Sequence, residues 1–250
     1  MNGVNIVEVS RLTKHFAGVA ALEDVSFGVA EGSIHAVIGP NGSGKTTLFN
    51  ILSGVYKPTS GEVQLRGRRI DGTHPFEIAR RGMGRTFQAP RLFRSMSVLE
   101  NLLLAGHSSS SWWHFDSAKR AKALETLRFV GLADAASSPA ISLPQGQQRL
   151  LEIARALCLD PQVLLLDEPH AGLNPVETEH LMDVIRALHG RGLTVVLVEH
   201  EMRVVMALAQ RITVLNFGKL LVEGTPSEIQ SSPAAIEAYL GIRRRREFHA

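Results

Sequence analysis

The sequence is poor in cysteine. Its 250 residues include one cysteine, Cys158, so no disulfide bond can form within the chain. A single thiol fits a reducing compartment, and we interpret Cys158 as a small buried apolar residue rather than as a reactive thiol.

Long hydrophobic runs are also absent. Apolar runs such as Val163–Leu166 and Val195–Val198 are far shorter than the roughly 20 residues that a helix needs to cross a bilayer. We therefore expect no membrane-spanning helix. Residues 1–10 lack a basic start followed by a long apolar stretch, so we also expect no secretory signal and an intracellular location.

Neither sign of charge is in large excess. Lysine plus arginine number 27 and aspartate plus glutamate 24, which gives a net charge of +3. This excess is too small to indicate nucleic-acid binding, and a weakly basic surface would equally suit an anionic membrane face. We expect no nucleic-acid partner.

What the sequence does have is the composition of an ordinary globular protein. Hydrophobic residues make up 44% and charged residues 20%, which excludes the disordered, collagen-like and disulfide-scaffold classes. The length predicts one large domain, or a domain with a subdomain. We find no internal repeat.

Hydrophobic patterns predict strands that alternate with helices. Val25, Phe27 and Val29 alternate with smaller or polar residues, as in a strand with one solvent-exposed face. Short, mainly apolar runs predict buried strands at Ile34–Ile38, Val163–Leu166, Leu193–Val198 and Ile212–Leu215. After a cap at Asn174 and Pro175, helical spacing predicts a helix through Leu181, Val184, Ile185 and Leu188. This alternation is typical of a parallel sheet covered by helices.

The middle of the chain has no convincing strand pattern. Over Ser97–Ser138 the spacing predicts a helical insertion with a serine-rich break at Ser108–Ser111. We expect the pair Trp112–Trp113 to pack against this insertion, with a partner-docking tip as the alternative. The basic run Arg243–Arg246 is interpreted as a solvated tail, with contact to anionic lipid as the alternative.

A phosphate-binding motif follows the first buried run. The segment Gly39-Pro40-Asn41-Gly42-Ser43-Gly44-Lys45-Thr46 has the spacing G-x-x-x-x-G-K-[ST] between a strand and a helix-forming segment. Its glycines let backbone N–H groups approach phosphate oxygens at the positive end of a helix. Lys45 supplies a charge for the β- and γ-phosphates, and Thr46 supplies a hydroxyl for Mg²⁺. The alternative is an ordinary glycine-rich turn.

Two adjacent acids follow a second predicted strand. Val163–Leu166 delivers Asp167 and Glu168 at its carboxyl end, where the ligands of parallel α/β sheets collect. Asp167 suits the magnesium shell, and Glu168 suits the orientation or deprotonation of an attacking water. A solvated loop with incidental acids is the weaker alternative, because the four preceding residues are apolar.

Beyond these two elements, the sequence resembles the ATP-binding subunits of ABC transporters over essentially its full length. The resemblance implies that Phe16 stacks on adenine, although taken alone Phe16 would also suit a core. It implies that Gln88 is the Q-loop glutamine, which reaches the metal or water, and that His200 is the switch histidine, which contacts the γ-phosphate. These matches occur in the family's order and spacing. The implied nucleotide contacts extend from the phosphate-binding motif to Thr47.

The signature motif separates this family from other P-loop proteins. Leu143-Pro144-Gln145-Gly146-Gln147 corresponds to the family's LSGGQ loop. In the family this loop binds the ATP held by the opposite subunit, so the resemblance implies that Gly146 and Gln147 contact nucleotide and that hydrolysis requires a dimer. The backbone amide of Gly146 and the N-terminus of the following helix suit an anion.

Three positions depart from the family pattern. Pro144 stands where the family usually has serine, which removes a hydroxyl and a backbone donor. Gln145 replaces the first signature glycine, and Asn174 replaces the usual D-loop aspartate. We hypothesise that the half-site built with Pro144 hydrolyses ATP slowly, and that a partner subunit's signature carries most of the turnover.

Several segments resemble one subgroup, the ATPases of branched-chain amino-acid importers. They are Ala171–Pro175, Arg91–Arg94, Val98–Leu102, Glu199–Met202 and Ala238–Gly241. These importers resemble heteromers with two distinct ATPase subunits, in which a weakened signature in one subunit is tolerated.

The resemblance implies an α/β fold of the P-loop NTPase (RecA-like) type. It has a mostly parallel sheet with helices on both faces, an N-terminal antiparallel β subdomain and an inserted α-helical subdomain. Within a single domain of residues 1–250, residues 1–88 and 158–250 would form the nucleotide-binding core with the β subdomain, and residues 89–157 the helical, signature-bearing subdomain. ATP and Mg²⁺ are the implied cofactors. Catalytic roles fall to Glu168, His200 and Gln88, and metal contacts to Thr46, Gln88 and Asp167.

The implied function is ATP hydrolysis that powers transport of branched-chain amino acids. The implied partners are transmembrane permease subunits, a second ABC ATPase subunit and, indirectly, a solute-binding protein, at the cytoplasmic face of the inner membrane. An ABC ATPase for urea, lipopolysaccharide or another amino acid is the nearest alternative. ABC-type ATPases of ribosomes or DNA fit poorly, because the chain has one P-loop and no long coiled-coil insertion. A P-loop kinase or GTPase would not need the signature motif or His200.

Overall fold

The computed structural model describes residues 4–105 and 117–238. The strands are β1 (Asn5–Phe16), β2 (Val19–Ala30), β3 (Ile34–Ile38), β4 (Ser60–Leu65), β5 (Arg68–Arg69), β6 (Met83–Arg85), β7 (Val163–Asp167), β8 (Thr194–Val198), β9 (Arg211–Asn216) and β10 (Lys219–Gly224). The α-helices are α1 (Lys45–Leu52), α2 (Pro75–Arg80), α3 (Val98–Ala105), α4 (Ser117–Phe129), α5 (Gln145–Leu157), α6 (Pro175–Gly190), α7 (Met202–Leu208) and α8 (Pro226–Ser231). The predictions for Ser108–Ser111, Trp112–Trp113 and Arg243–Arg246, and the end of the Ala238–Gly241 segment, fall outside the described residues.

The main sheet has six strands in the order β10-β9-β3-β8-β7-β6. Every neighbouring pair in it is parallel except β9 and β10, which are antiparallel. The four predicted buried runs are the four central strands, so the prediction of a mostly parallel sheet is confirmed. The third run begins one residue later than predicted, at Thr194.

The central strands are buried on both faces. On β7, Leu164 and Leu166 face a hydrophobic core shared with α3 to α7, whereas Val163 and Leu165 face a second core shared with α1 and the antiparallel strands. All five residues of β3, of β7 and of β8 are buried. Continuous apolar runs, rather than alternating ones, are what such doubly covered strands require.

The second sheet is antiparallel, in the order β2-β1-β4-β5. Val25, Phe27 and Val29 are buried on β2 while Ser26 is exposed, which confirms the predicted alternation. This sheet covers the face of the main sheet on which α1 lies.

Between β6 and β7, the described residues are mainly helical. Helices α3 and α4 pack against α5, and two short 3₁₀ turns lie at Ala133–Ala135 and Ala140–Ser142. Apart from a single bridge between Ser97 and Pro139, no strand occurs in the described part of this segment, as predicted.

Helix α6 begins with the predicted cap. The side chain of Asn174 accepts hydrogen bonds from the backbone N–H groups of Val176 and Glu177, and the carboxylate of Glu177 accepts one from the N–H of Asn174. Pro175 occupies the first helical position. This reciprocal pair satisfies donors that the helix itself leaves free.

No helix in the two described ranges is both long enough and apolar enough to span a bilayer. The single cysteine, Cys158, lies at the end of α5 and packs against the helical core. Burial raises the pKa of its thiol to about 11, so the thiol stays protonated at neutral pH.

Candidate functional site

Four parallel strands end at the same edge of the main sheet. Gly39 follows β3, Asp167 is the last residue of β7, and His200 lies two residues beyond β8. Gln88 follows β6, three residues after its end. Because the carboxyl ends of parallel strands form a common crevice, residues distant in sequence meet there.

The loop between β3 and α1 depends on glycine. Gly39 has a φ of 154°, and a Cβ atom there would lie 2.2 Å from the carbonyl oxygen of Leu215. Gly42 has a φ of 79° and open space where a side chain would stand. The backbone of the loop is thus packed on one side and open on the other, as a phosphate cradle requires.

Lys45 lies at the start of α1 with its side chain buried. Its Nζ donates hydrogen bonds to the carbonyl oxygens of Gly39 at 2.7 Å and Pro40 at 2.9 Å. Burial lowers the pKa of this ammonium group, and the charges of Glu168 and Asp167 oppose that shift. The loop therefore holds a positive charge in the field of the two acids.

Ser43 has a buried hydroxyl that makes no hydrogen bond within the described residues. It lies in the phosphate-binding motif, immediately before Gly44, the N-cap of α1. Buried polar atoms without partners are rare and call for a ligand or water. An anion at the N-terminus of α1 fits this orphaned donor. Asn41 and Thr46 are exposed, while Pro40, Gly44 and Thr47 are half-buried.

Asp167 forms a buried ion pair with Arg85. Its Oδ2 accepts a hydrogen bond from Nη2 of Arg85 at 3.1 Å, and both side chains are about 7% exposed. Burial raises the pKa of the Asp167 carboxyl, and the charge and hydrogen bond of Arg85 oppose the shift. Arg85 also donates to Asn50 and Ser53, and so joins the end of α1 to β7.

Glu168, Gln88 and His200 meet at the same edge. Oε2 of Glu168 accepts a hydrogen bond from Nε2 of Gln88 at 3.1 Å, and Oε1 lies 3.6 Å from Nδ1 of His200. Glu168 has a φ of 45°, an unusual value for a residue with a side chain. Its N–H donates to the carbonyl oxygen of Val198, which holds this conformation. The structure therefore brings together all three residues expected to be catalytic.

Helix α5 binds the backbone just before Gln88. The N–H of Phe87 donates to Oε1 of Glu152, and the carbonyl oxygen of Phe87 accepts from Nη1 of Arg149. Burial raises the pKa of Glu152 to about 7, against the opposing hydrogen bond from Phe87 and the charge of Arg149. Two side chains one helical turn apart thus form hydrogen bonds with the backbone of Phe87.

The signature segment lies beside the turn that follows Glu168. Pro144 is the N-cap of α5, and its side chain makes no capping hydrogen bond. The side chain of Gln145 donates to the carbonyl oxygen of Ala171, and Gly146 packs so closely on Glu177 that a Cβ atom would lie 2.7 Å from its carboxylate. Gln147 is half-buried in the first turn of α5.

Phe16 lies at the end of β1 and is 40% exposed, so it is not a core residue. Its ring meets that of Tyr56 edge to face at 5.3 Å, and Nζ of Lys14 lies 4.8 Å from its centroid. This surface presents two aromatic rings to solvent beside a cation, as stacking on a planar base requires.

Several residues of the site were not predicted from the sequence. Arg85 and Tyr56 were not predicted to have roles, and neither was His170, which contacts Glu199 and Glu201. An arginine beside a buried strand is a usable sign of an ion pair, because such a charge needs a partner. Nothing in the sequence around His170 indicates its partners, which lie about thirty residues further along the chain.

The match to known families agrees with this geometry. Residues 22–171 match the family model described as ABC transporter, and the chain belongs to this family of ATP-binding cassettes, which hydrolyse ATP to drive transport. The chain is therefore an ATPase with the P-loop NTPase fold, as predicted. Residues 219–243 match a second model, described as branched-chain amino acid ATP-binding cassette transporter.

Curated relatives match along nearly the whole chain. The high-affinity branched-chain amino acid transport ATP-binding proteins LivG of Salmonella typhimurium and BraF of Pseudomonas aeruginosa are each 43% identical, over 94% of this chain and 98% of theirs. A probable branched-chain amino acid transport ATP-binding protein LivG of Archaeoglobus fulgidus is 39% identical, over 96% of this chain and 97% of its own.

Solved structures of cassettes share the fold. The ADP conformation of MJ1267, an ATP-binding cassette of an ABC transporter, superposes with a TM-score of 0.88 at 32% identity, over 95% of this chain and 99% of that one. The dimeric post-hydrolysis state of the cassette MJ0796, bound to ADP and Pi, has a TM-score of 0.77 at 30% identity, over 88% and 98%. Cassettes of this family thus bind adenine nucleotides.

The unpartnered hydroxyl of Ser43 generates a prediction. Ser43→Ala should leave the free energy of unfolding of the nucleotide-free protein unchanged or raise it by about 1 kcal/mol, because it removes an unsatisfied buried donor. The same change should weaken ATP binding roughly tenfold, since a hydrogen bond to a charged phosphate is lost. Urea unfolding and calorimetric titration measure the two effects.

Ser53→Ala is the matched control for this change. Ser53 is also a buried serine, but its hydroxyl donates to Phe49 and accepts from Arg85. Its loss should therefore lower the stability by about 1 kcal/mol. Equal loss of stability in the two variants would contradict the assignment of Ser43 as a ligand-facing donor.

Proposed function

We propose that the protein is the ATP-hydrolysing subunit of an importer of branched-chain amino acids. The observation that carries this proposal is the meeting of the phosphate loop, Asp167, Glu168, Gln88 and His200 at one sheet edge in an ABC cassette. The cargo is supported by the relatives named for branched-chain amino acid transport and by the match of residues 219–243.

The phosphates of ATP would bind against the loop from Gly39 to Thr47. Backbone N–H groups of the loop and of the first turn of α1 would bind the anion at this helix end. Lys45, which now donates to two loop carbonyls, would turn its ammonium group to phosphate oxygens. The exposed ring of Phe16 would stack on adenine.

Magnesium would be held by Thr46, Gln88 and Asp167. Oxygen donors of these types suit Mg²⁺, which when bound neutralises charge on the phosphates. Among the described residues, no group of three or more His, Cys, Asp or Glu side chains suits a metal. Phosphate oxygens and water would therefore complete its shell. Arg85 holds the Asp167 carboxylate in place through Oδ2, which leaves Oδ1 for the cation or its waters.

Glu168 would accept a proton from the attacking water. Its two oxygens already face Gln88 and His200, so the carboxylate is oriented by groups from two other segments. Gln88 would hold the water, and His200 would contact the γ-phosphate. Lys45 and the loop N–H groups would stabilise the charge on the transferred phosphoryl group.

Glu168→Gln tests this role. Because the amide cannot accept the proton, ATPase turnover should fall by a factor of about a hundred or more, while ATP affinity stays near that of the wild type. The variant should also accumulate as an ATP-bound dimer, measured by size-exclusion chromatography with magnesium and ATP. Glu179→Gln, an exposed change on α6, is the control. Turnover near the wild-type rate would exclude Glu168 as the base.

A second cassette would complete the site. The dimeric structure of MJ0796 with ADP and Pi supports assembly of two cassettes around nucleotide. In such a dimer, Gly146 and Gln147 would contact the ATP of the partner, through the N-terminal turn of α5. Pro144, which supplies neither a hydroxyl nor an N–H, would make this half-site the slower one.

The expected slow half-site is testable with Pro144→Ser. In a homodimer this change should raise the ATPase rate several-fold, because each signature regains two donors, worth about 1 kcal/mol or more apiece. In a complex with a second, different ATPase subunit, the effect should be small. Comparison of the two assemblies, wild type and variant, measures it. A homodimer as fast as the full complex and insensitive to Pro144→Ser would contradict the hypothesis.

The helical segment of residues 89–157 would transmit the change to a permease. It would form a subdomain beside a core of residues 1–88 and 158–250, and its contacts with Phe87 place α5 next to Gln88. The partners would be transmembrane permease subunits, a second ABC ATPase and, through the permease, a solute-binding protein. The protein would act as a peripheral subunit at the cytoplasmic face of the inner membrane.

Isolation of the assembled complex tests the cargo. The tagged chain should co-purify from detergent-solubilised membranes with permease subunits and a second cassette, identified by mass spectrometry. Reconstituted in vesicles, the complex should import leucine, isoleucine or valine with ATP. Import of urea or another solute instead, or release of lipopolysaccharide, would replace the proposed cargo. Glu168→Gln is the inactive control.

A further inference from the structure

His170 links the segment after β7 to the segment after β8. Its ring is 9% exposed, and both of its nitrogens face carboxylates. Nδ1 donates to Oε1 of Glu199 at 2.6 Å, and Nε2 lies 3.1 Å from Oε2 of Glu201. The two acids stand on either side of His200 in the sequence. A single imidazole thus joins both neighbours of the switch histidine.

Glu199 also binds the backbone of His200. Its side chain is fully buried, and its second oxygen, Oε2, accepts a hydrogen bond from the backbone N–H of His200 at 3.2 Å. One carboxylate therefore binds the ring of His170 and the main chain of His200. The two histidine rings lie 5.3 Å apart, tilted by 47°.

By contrast, the side chain of His200 has little support of its own. It is 53% exposed, and its ion-pair partner is Glu168, at 3.6 Å. The other contacts that hold it are the neighbouring ring of His170 and the backbone hydrogen bond from His200 to Glu199. The contacts that fix the backbone of residues 199–201 therefore decide where the imidazole lies.

We propose that His170 is a positioning residue that fixes the backbone of residues 199–201, so that the imidazole of His200 faces Glu168 and the γ-phosphate. The inference rests on the role of His200 in the proposed function. His170 reaches no reacting atom, since Glu199 and Glu201 occupy both of its nitrogens. It acts through the main chain of His200, as supporting hydrogen bonds do for the groups that they orient.

The protonated form of His170 suits this task. The hydrogen bond to Glu199 raises its pKa, burial opposes the shift, and the charges of Glu199, Glu201 and Glu168 add to it. These acids lie in the two segments packed against the ring. The imidazole of His200 also faces the ring. An imidazolium donates to both carboxylates, whereas a neutral ring donates to one. Both contacts of His170, with Glu199 and with Glu201, are therefore present below the raised pKa, and one of them is lost as the pH rises through it.

Kinetics of the assembled ATPase test the proposal. His170→Ala should lower kcat on the order of tenfold with little change in KM for ATP, because a misplacement of about 1 Å can cost a hundredfold. His170→Gln, which keeps one donor but does not titrate, should retain more activity and lose the alkaline fall of the wild-type pH profile. His180→Gln, an exposed change on α6, should match the wild type. Thermal unfolding of each variant confirms that it is folded.

A second readout does not depend on activity. Histidine-ring NMR of the nucleotide-free protein, with the His170 signal identified by its loss in His170→Gln, should show titration above the ordinary value of 6.5. Glu199→Gln should lower that pKa. A titration at or below the ordinary value would contradict the proposed contacts of His170 with Glu199 and Glu201.

The outcomes separate the two proposals. If the wild type neither binds nor hydrolyses ATP, the proposed function fails, whatever the NMR titration gives. If the wild type and His180→Gln hydrolyse ATP, and folded His170→Ala and His170→Gln do so with the same kcat and pH profile, the positioning role is wrong. A fall in kcat with unchanged KM and a lost alkaline limb supports it.

Discussion

Parallel hydrogen bonding among the short strands of the main sheet is the constraint on which the rest of the structure depends. Because β3, β6, β7 and β8 run in the same direction, their carboxyl ends meet at one edge, and each delivers a different group there. The apolar side chains on both faces hold the strands in register. A shift of one residue in the pairing of β7 would turn each of its side chains to the other face of the sheet, so that Asp167 and Glu168 would exchange surroundings.

The edge concentrates charge in a partly dehydrated place. Lys45 and Arg85 are buried beside Asp167, and burial disfavours the charged form of each of them. The hydrogen-bonded pair of Arg85 and Asp167, and the charges of Asp167 and Glu168 near Lys45, offset that cost, since Coulomb interactions strengthen as the local dielectric falls. The site is therefore arranged before any ligand arrives, with donors and acceptors held by partners that a phosphate can exchange. Such preorganisation is what transition-state stabilisation requires.

Local patterns in the sequence predicted the elements that local physics determines. The apolar runs located β3, β7, β8 and β9, and the Asn174 cap located the start of α6, because burial and capping leave marks within a few residues. Motif spacing predicted Lys45, Asp167 and Glu168 in one site. It did not predict Arg85 bound to Asp167, or His170 between Glu199 and Glu201. These pairs join strands, or the segments that follow them, that are adjacent only in the folded sheet, so no periodicity records them.

The hydrogen bonds between α5 and Phe87 couple the position of this helix to that of Gln88. Glu152 and Arg149 hold the N–H and the carbonyl oxygen of one residue, so the backbone there cannot rotate without breaking a part-buried hydrogen bond to an ionisable side chain. A tilt of α5 would therefore move the neighbouring Gln88 as well, because Phe87 is bonded to both. If nucleotide restrains Gln88 as proposed, thermodynamic reciprocity requires the orientation of α5 to affect nucleotide binding by the same free energy.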